Sequence, residues 1–315
     1  MNPIRYQIES FNENYDNLNS AKGGYCKPLV FLDYIGSAIR HGASAADYFS
    51  YEFFNITNRK RREFVCWRLK KRFFRKMNDY SKSHVFNNKA LFLKTFDRYV
   101  KREWLYAPEA TDSQLTAFCD RHEWAMVKPV AASCGKGVER VSTRELRAQF
   151  DRLRAEKLLV EELIVQHPEM DRLCPTAINT IRVATVNRSG TVEILGAAMR
   201  CGRGGGCIDN FCAGGILMRI DQDSGTVISD GVNQKHERWL RAPDTGVLLH
   251  GFLVPHWDKV LETVREAALV VPGVNYTGWD IAVRQDDVCL VEGNFEGMLY
   301  GFGGIKDRVL EIMKD

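Results

Sequence analysis

The chain has 315 residues, 45% apolar and 27% charged, with a net charge of +4. That composition fits one large or two modest soluble globular units with a sizeable core. No segment holds the roughly 18 uncharged apolar residues of a membrane span, and the polar start MNPIRYQIES lacks the apolar run of a signal peptide. The nine cysteines are odd in number and contain no Cys-x-x-Cys, which argues against a disulfide framework or a simple zinc site. Reduced thiols in a cytoplasmic protein are the expectation.

Residues 1–85 read as mainly helical, with candidates in LVFLDYIGSAIR, SAADYFSYEFF and a basic run over 59–76. That run, RKRREFVCWRLKKRFFRK, holds ten Lys/Arg and one acid, Glu63. On a helix it places Trp67, Leu69, Phe73, Phe74 and Met77 on one side and Lys60, Arg61, Arg68, Lys71, Arg72 and Arg75 on the other. Two readings stay open: a core-docked helix with a solvated basic face, or weak attraction to a membrane surface or an anionic polymer. No nucleic-acid motif accompanies the run, so nucleic acid is not expected as a partner.

FNNK follows as a turn at 86–89, with Asn87 or Asn88 able to cap a helix KALFLKTFDRYV. From there the texture is α+β. WAMVKPV and GVERV are strands on either side of a small-residue loop, AASCGKGV, and Ser142 with Glu145 suggests a capped helix over 143–156. KLLVEELIV, NTIRVATVN, TVEILGAAMR and GILMRID read as strands, with RSG a hairpin turn. Pro255 opens a helix, HWDKVLETVREAALVV. TGWDIAVRQ pairs with DVCLVEGN, and KDRVLEIMK closes the chain as a helix.

Three places carry chemistry. In the last hairpin, Glu292 and Asn294 are two apart and leave the same strand face, with Asp280 on the partner strand. Three converging oxygen ligands suit a hard cation such as Mg²⁺. Lys128 precedes a loop whose amides and glycines could close over phosphates, although its spacing is not that of a Walker A loop. VEELI, at 160–164, offers an acid pair at a strand end with backbone groups free to read a base.

Taken in order, NNK, VKP, the Ser/Gly loop, EELI, the IRV strand, MR…N…GG, GWDIAV and EGN resemble the ATP-grasp superfamily over residues 86 to the C-terminus. The chain looks closest to the sugar-transfer-associated group, through VQHPEM, NTIRV and GWDIAV…LVEGN. The resemblance implies an α+β fold in which two subdomains, 86–165 and 166–315, grip ATP behind a basic helical segment, 1–85. It implies Lys89 and Lys128 on the α- and β-phosphates, and a lid at 132–138 containing Ser133, Gly135, Lys136 and Gly137. Glu161, Glu162, Leu163 and Ile164 would form the adenine hinge, with Glu169 or Gln166 at the ribose. Arg182 and Arg200 would meet the transferring phosphoryl group, with Asn210 near them, and Asp280, Glu292 and Asn294 would hold one or two Mg²⁺.

The implied activity is an ADP-forming carboxylate–amine ligase working through an acyl phosphate, with a sugar-linked or uronic acid substrate in polysaccharide biosynthesis. A phosphotransferase on a small acid or hydroxyl, and a binding protein with a vestigial ATP site, are the alternatives. Two departures stand out. Members like D-alanine–D-alanine ligase carry an arginine two residues before the metal aspartate, where this chain has Gly278. The usual Rossmann-like N-terminal subdomain is also replaced by the short helical segment. Arg203 and the glycine-rich 202–206 stretch are candidates for a carboxylate pocket, and His167 is the histidine nearest the expected ribose site.

Overall fold

The computed structural model describes residues 3–131, 137–205, 214–297 and 304–314. Among them eleven strands form two antiparallel sheets. The smaller has the order β1 (Trp104–Tyr106), β4 (Leu158–Glu162), β2 (Trp124–Pro129) and β3 (Glu139–Ser142). The larger has the order β11 (Val288–Asn294), β10 (Tyr276–Val283), β5 (Thr180–Arg188), β6 (Thr191–Cys201), β7 (Ile216–Ile220), β8 (Gly231–Val232) and β9 (Arg238–Trp239). Helices cover both, so the fold is α+β, as expected.

Alternation along each strand decides which side chains are core and which are site. In the small sheet Ala125, Val127, Leu158 and Val160 pack under helices that supply Leu115, Phe118, Leu146 and Leu153. Lys128 and Glu161 therefore leave the opposite face. In the large sheet Ile181, Val183 and Ile281 join a core completed by Val260 and Val264 of the helix Trp257–Ala267. The other face carries Ala184, Val186, Ala198 and Tyr276 at one end, and Thr180, Arg182, Arg200 and Asp280 at the other.

Local chemistry sets the turns. RSG is the hairpin between β5 and β6, with positive φ at Ser189 (51°) and Gly190 (93°), the backbone hand that a two-residue hairpin requires. Asn88 caps the helix Lys89–Thr95 by accepting the Leu91 N–H at 3.1 Å. Three expected helices are interrupted. KALFLKTFDRYV breaks at Phe96 and resumes over Asp97–Val100. The helix expected over 143–156 is Thr143–Leu146, a 3₁₀ turn Arg147–Gln149 and Phe150–Ala155.

The third is the basic run, split into Asn58–Arg61 and Trp67–Met77. The break re-sorts its faces. Arg61, expected toward solvent, is buried and bonds Asp33 (2.8 and 2.7 Å) and Ser37 (2.9 Å). Trp67, expected in the core, is 46% exposed. Lys70 is buried in an ion pair with Asp47. Phe73, Phe74 and Met77 pack on Ala184, Val186 and Tyr276 of the large sheet, beside Val309 and Ile312 of the last helix. Thus the helix Trp67–Met77 is core-docked. Asn78 fixes its end: it donates to the Tyr276 and Phe295 carbonyls (2.9 and 2.8 Å) and accepts the Tyr276 N–H at 2.8 Å. Earlier residues form their own aromatic core around Phe11, Tyr34, Tyr48 and Phe53. Among the described residues no helix is long and apolar enough to cross a membrane.

Candidate active site

A cleft of about 570 Å³ is lined by Tyr80, Lys89, Ala131, Glu292, Asn294 and Glu296, among others. Lys89 enters at the first position of its helix, where the Asn88 cap aims the chain, and its backbone N–H bonds the Val130 carbonyl at 3.1 Å. Its Nζ lies 3.4 Å from Glu292 Oε1.

Strand pairing places the large-sheet residues. Asp280 is paired across strands with Glu292 on β11 and with Arg182 on β5, and Gly278 with Asn294. Directly paired residues share a face, so Arg182, Asp280, Glu292 and Asn294 lie together, and Arg200 joins them by donating to Thr180 Oγ1 at 3.1 Å. Arg182 grips Asp280 with Nε and with Nη2 (2.8 Å), and Arg200 Nη2 adds a contact at 2.7 Å. Asn294 Nδ2 reaches Asp280 Oδ2 at 3.4 Å. Burial pushes the Asp280 carboxyl up, but Arg182 and Arg200 outweigh it and hold the group below the usual carboxylate range.

Gly278, the position where related ligases carry an arginine, has a steric reason to be glycine. A Cβ there would stand 3.0 Å from the Gly297 Cα and 3.5 Å from the Arg182 Cδ. Arg182, on the neighbouring strand, lies in van der Waals reach of that position.

On the small sheet Glu161 does not present its side chain to a hinge. It turns inward, accepting a hydrogen bond from Arg102 Nε at 2.8 Å, with Arg102 Nη2 at 2.7 Å and Lys128 Nζ at 2.5 Å as ion-pair contacts. Arg102 also donates to the Leu290 carbonyl on β11 at 2.6 Å, tying one sheet to the other. Burial pushes the Glu161 carboxyl up, yet Lys128 and Arg102 together hold it below the ordinary range. Arg102 was not legible beforehand: it sits in a short polar connection, KRE, with no motif around it.

The Glu162 N–H is spent on the Glu103 carbonyl at 2.9 Å. Leu163 and Ile164 lie beyond the end of β4 and make no hydrogen bond among the described residues, so of the four hinge residues these two keep backbone groups for a base. Gln166 is corrected. It is buried, donates to Asp171, the Cys174 carbonyl and the Ala177 carbonyl (2.8, 3.0 and 2.9 Å), and accepts the Asn179 N–H at 2.9 Å. With its amide spent on the loop 166–179, Gln166 has nothing left for a ribose. Glu169 is exposed beside Arg172 (2.5 Å). His167 accepts the Glu169 N–H at 3.0 Å, and His256 bonds the Gln285 carbonyl at 2.8 Å. Arg203 is held by its own loop, donating to the Gly214 carbonyl at 2.7 Å.

Ser133, Gly135, Lys136 and Asn210 lie outside the described residues. Gly137, at the loop's far end, has φ +71°, and a Cβ there would press on the Pro129 ring at 3.1 Å.

Two of the three expected oxygen donors remain for a hard cation, and Asp280 is corrected as a ligand. Glu292 and Asn294 offer oxygen from one face at the cleft, whereas both Asp280 oxygens are engaged by guanidinium groups. Among the described residues no cluster of three His, Cys, Asp or Glu side chains could hold a metal.

Two sheets with a lysine-bearing strand and an acidic hairpin facing each other define an ATP-grasp protein. The chain belongs to the sugar-transfer associated ATP-grasp family, whose model matches residues 152–310. No curated protein matches it. Solved structures that it is similar to include the ATP-grasp ligase PsnB complexed with precursor peptide PsnA2 and AMPPNP (17% identity, 76% of this chain and 63% of that one, TM-score 0.46). Others are carboxyaminoimidazole ribonucleotide synthase from Aspergillus clavatus complexed with ATP (16%, 69% and 46%, TM-score 0.44) and D-alanyl-alanine synthetase A from Vibrio cholerae O1 biovar eltor (13%, 75% and 62%, TM-score 0.44). The chain spans 63% of the length of PsnB.

Proposed function

We propose that the protein is an ATP- and Mg²⁺-dependent ligase that joins a carboxylate to an amine through an acyl phosphate, releasing ADP and phosphate. The observation that carries this reading is the convergence of Arg182, Arg200, Glu292 and Asn294 on one sheet face, with Lys89 lining the same cleft as Glu292 and Asn294, 3.4 Å from Glu292. Residues 86–165 and 166–315 are the two gripping subdomains in this reading, and residues 1–85 form a basic helical unit beside them.

Each residue then has a role. The Leu163 and Ile164 backbone reads the base, Glu169 reaches the ribose, and Lys89 and Lys128 neutralise the α- and β-phosphates. Glu161 holds Lys128 in place rather than free to swing, which lowers the cost of ordering it when nucleotide binds. Arg182 and Arg200, locked by Asp280, present fixed positive charge to the transferring phosphoryl group without reorganisation at the moment of reaction. Glu292 and Asn294 would hold Mg²⁺, which supplies charge neutralisation on the phosphates. The loop 132–138 would cover the triphosphate and exclude water that would otherwise consume the acyl phosphate. A uronic acid or other sugar-linked carboxylate in polysaccharide biosynthesis is the substrate class we favour, at a cytoplasmic location.

The test is ADP release from Mg·ATP across a panel of uronic acids and nucleotide sugars with mixed amino acids, using the Glu292→Ala, Asn294→Ala double variant as control. Turnover that requires both a carboxylate and an amine, and is lost in the control, supports the ligase. A stable phosphorylated product formed without an amine would establish a phosphotransferase instead.

A further inference from the structure

A second cavity, about 390 Å³, opens where the N-terminal helices meet the last helix, and shares no lining residue with the nucleotide cleft. Its walls are Arg40 and His41 at the end of the helix Lys27–His41, Asn58 and Arg62 around the short helix Asn58–Arg61, and Lys306 at the start of the last helix. The volume lies within the roughly 300–1,000 Å³ range of small-molecule pockets.

No carboxylate lines it. Among the described residues Arg40, Arg62 and Lys306 make no ion pair, and neighbouring acids are already committed: Asp33 to Arg61 (2.8 and 2.7 Å) and Glu63 to Lys60 (2.5 Å). The wider setting has the same sign. Residues 1–85 hold 15 Lys/Arg against 8 Asp/Glu, whereas residues 86–315 hold 29 against 32. Three cations from three parts of the chain line one cavity whose walls carry no carboxylate; Asp33, bonded to Arg61, is the acid whose charge also reaches Arg40. Burial, and then Lys306, Arg61 and Arg62, push the His41 imidazole down, opposed only by its hydrogen bond to Asn58.

We propose that this cavity binds the phosphate or diphosphate group of a small anionic ligand, at a site separate from the nucleotide cleft. Two guanidinium forks match phosphate oxygens in pairs and Lys306 adds a point charge. Three cations suit a group carrying two or three negative charges.

The experiment uses the full chain with the nucleotide cleft filled by Mg·AMPPNP. Inorganic phosphate and pyrophosphate are titrated by calorimetry, and the His41 ring is followed by NMR. Pyrophosphate is expected to bind and to raise the His41 pKa by about one unit. Arg62→Gln and Lys306→Gln are each expected to weaken it about tenfold, with an unchanged urea midpoint in the absence of ligand. Sedimentation with phosphatidylglycerol vesicles separates the sources: vesicle binding lost in the same variants, with no response to pyrophosphate, assigns the phosphate to a lipid headgroup. No binding of either probe, or binding that both variants retain, overturns the proposal. None of these outcomes bears on the ligase reading, because the variants leave the nucleotide cleft intact.

Discussion

Replacing Glu161 with glutamine keeps its shape and removes one charge, at a point where that charge balances two. The carboxylate lies between Lys128, at 2.5 Å, and Arg102, at 2.8 and 2.7 Å, with its side chain 3% exposed. Burial already pushes the Lys128 amine down against the pull of Glu161, so without that carboxylate the lysine can shed its proton; the arginine cannot, and Glu161→Gln leaves Arg102 buried without its anion. Breaking a buried pair in this way costs about 3–5 kcal/mol, a large share of the roughly 5–15 kcal/mol that holds a typical domain together. Because Arg102 also binds the Leu290 carbonyl on the other sheet, the damage should spread to the sheet–sheet contact and weaken Mg·ATP binding. Urea unfolding followed by circular dichroism gives the first quantity, and nucleotide titration the second. Lys128→Met, which leaves Glu161 its Arg102 partner, should cost less than Glu161→Gln. A loss below about 1 kcal/mol for Glu161→Gln, the range of exposed ion pairs, would refute the counter-charge argument.

Other expectations follow from the same geometry. Asp280→Asn should abolish ADP release and lower the urea midpoint, since it leaves Arg182 and Arg200 without their anion. The folded Asp280 carboxyl titrates below its unfolded value. Its stabilisation is therefore full above the unfolded pKa, about 3.9, and is lost as pH falls through the folded value; the midpoint of Asp280→Asn should fall less below pH 4 than that of the parent. Gly278→Ala should cut turnover while leaving secondary structure in place, because its Cβ would press on the Gly297 backbone beside Asn294; unaltered kinetics would show that the site tolerates that shift. Asn78→Ala removes three hydrogen bonds to buried backbone groups and should cost about 2–4 kcal/mol in urea unfolding, a loss that a freely docked N-terminal unit would not show.

The hairpins were legible because their signals are local. NTIRVATVN and TVEILGAAMR alternate around RSG, and the Glu292/Asn294 spacing fixes a shared face whatever the rest of the chain does. Helix continuity was not. The basic run has helical periodicity throughout, but Arg61 is worth more to the fold bonded to Asp33 than left in water, and the chain breaks after it to let Trp67–Met77 turn onto the sheet. Long-range partners were equally invisible. Nothing near Glu161 in sequence announces Lys128 and Arg102, and Gln166 looks free until Asn179 and the loop carbonyls are folded around it. Gly278 read as a missing arginine; only the register of β5 against β10 shows Arg182 beside Asp280 two residues on.

The most direct measurement is transfer of ¹⁸O from a labelled carboxylate into inorganic phosphate, using the carboxylate and amine that support ADP release. An acyl phosphate predicts one carboxylate oxygen in the phosphate released with each amide. Phosphate free of label, with ADP still formed, would contradict the account.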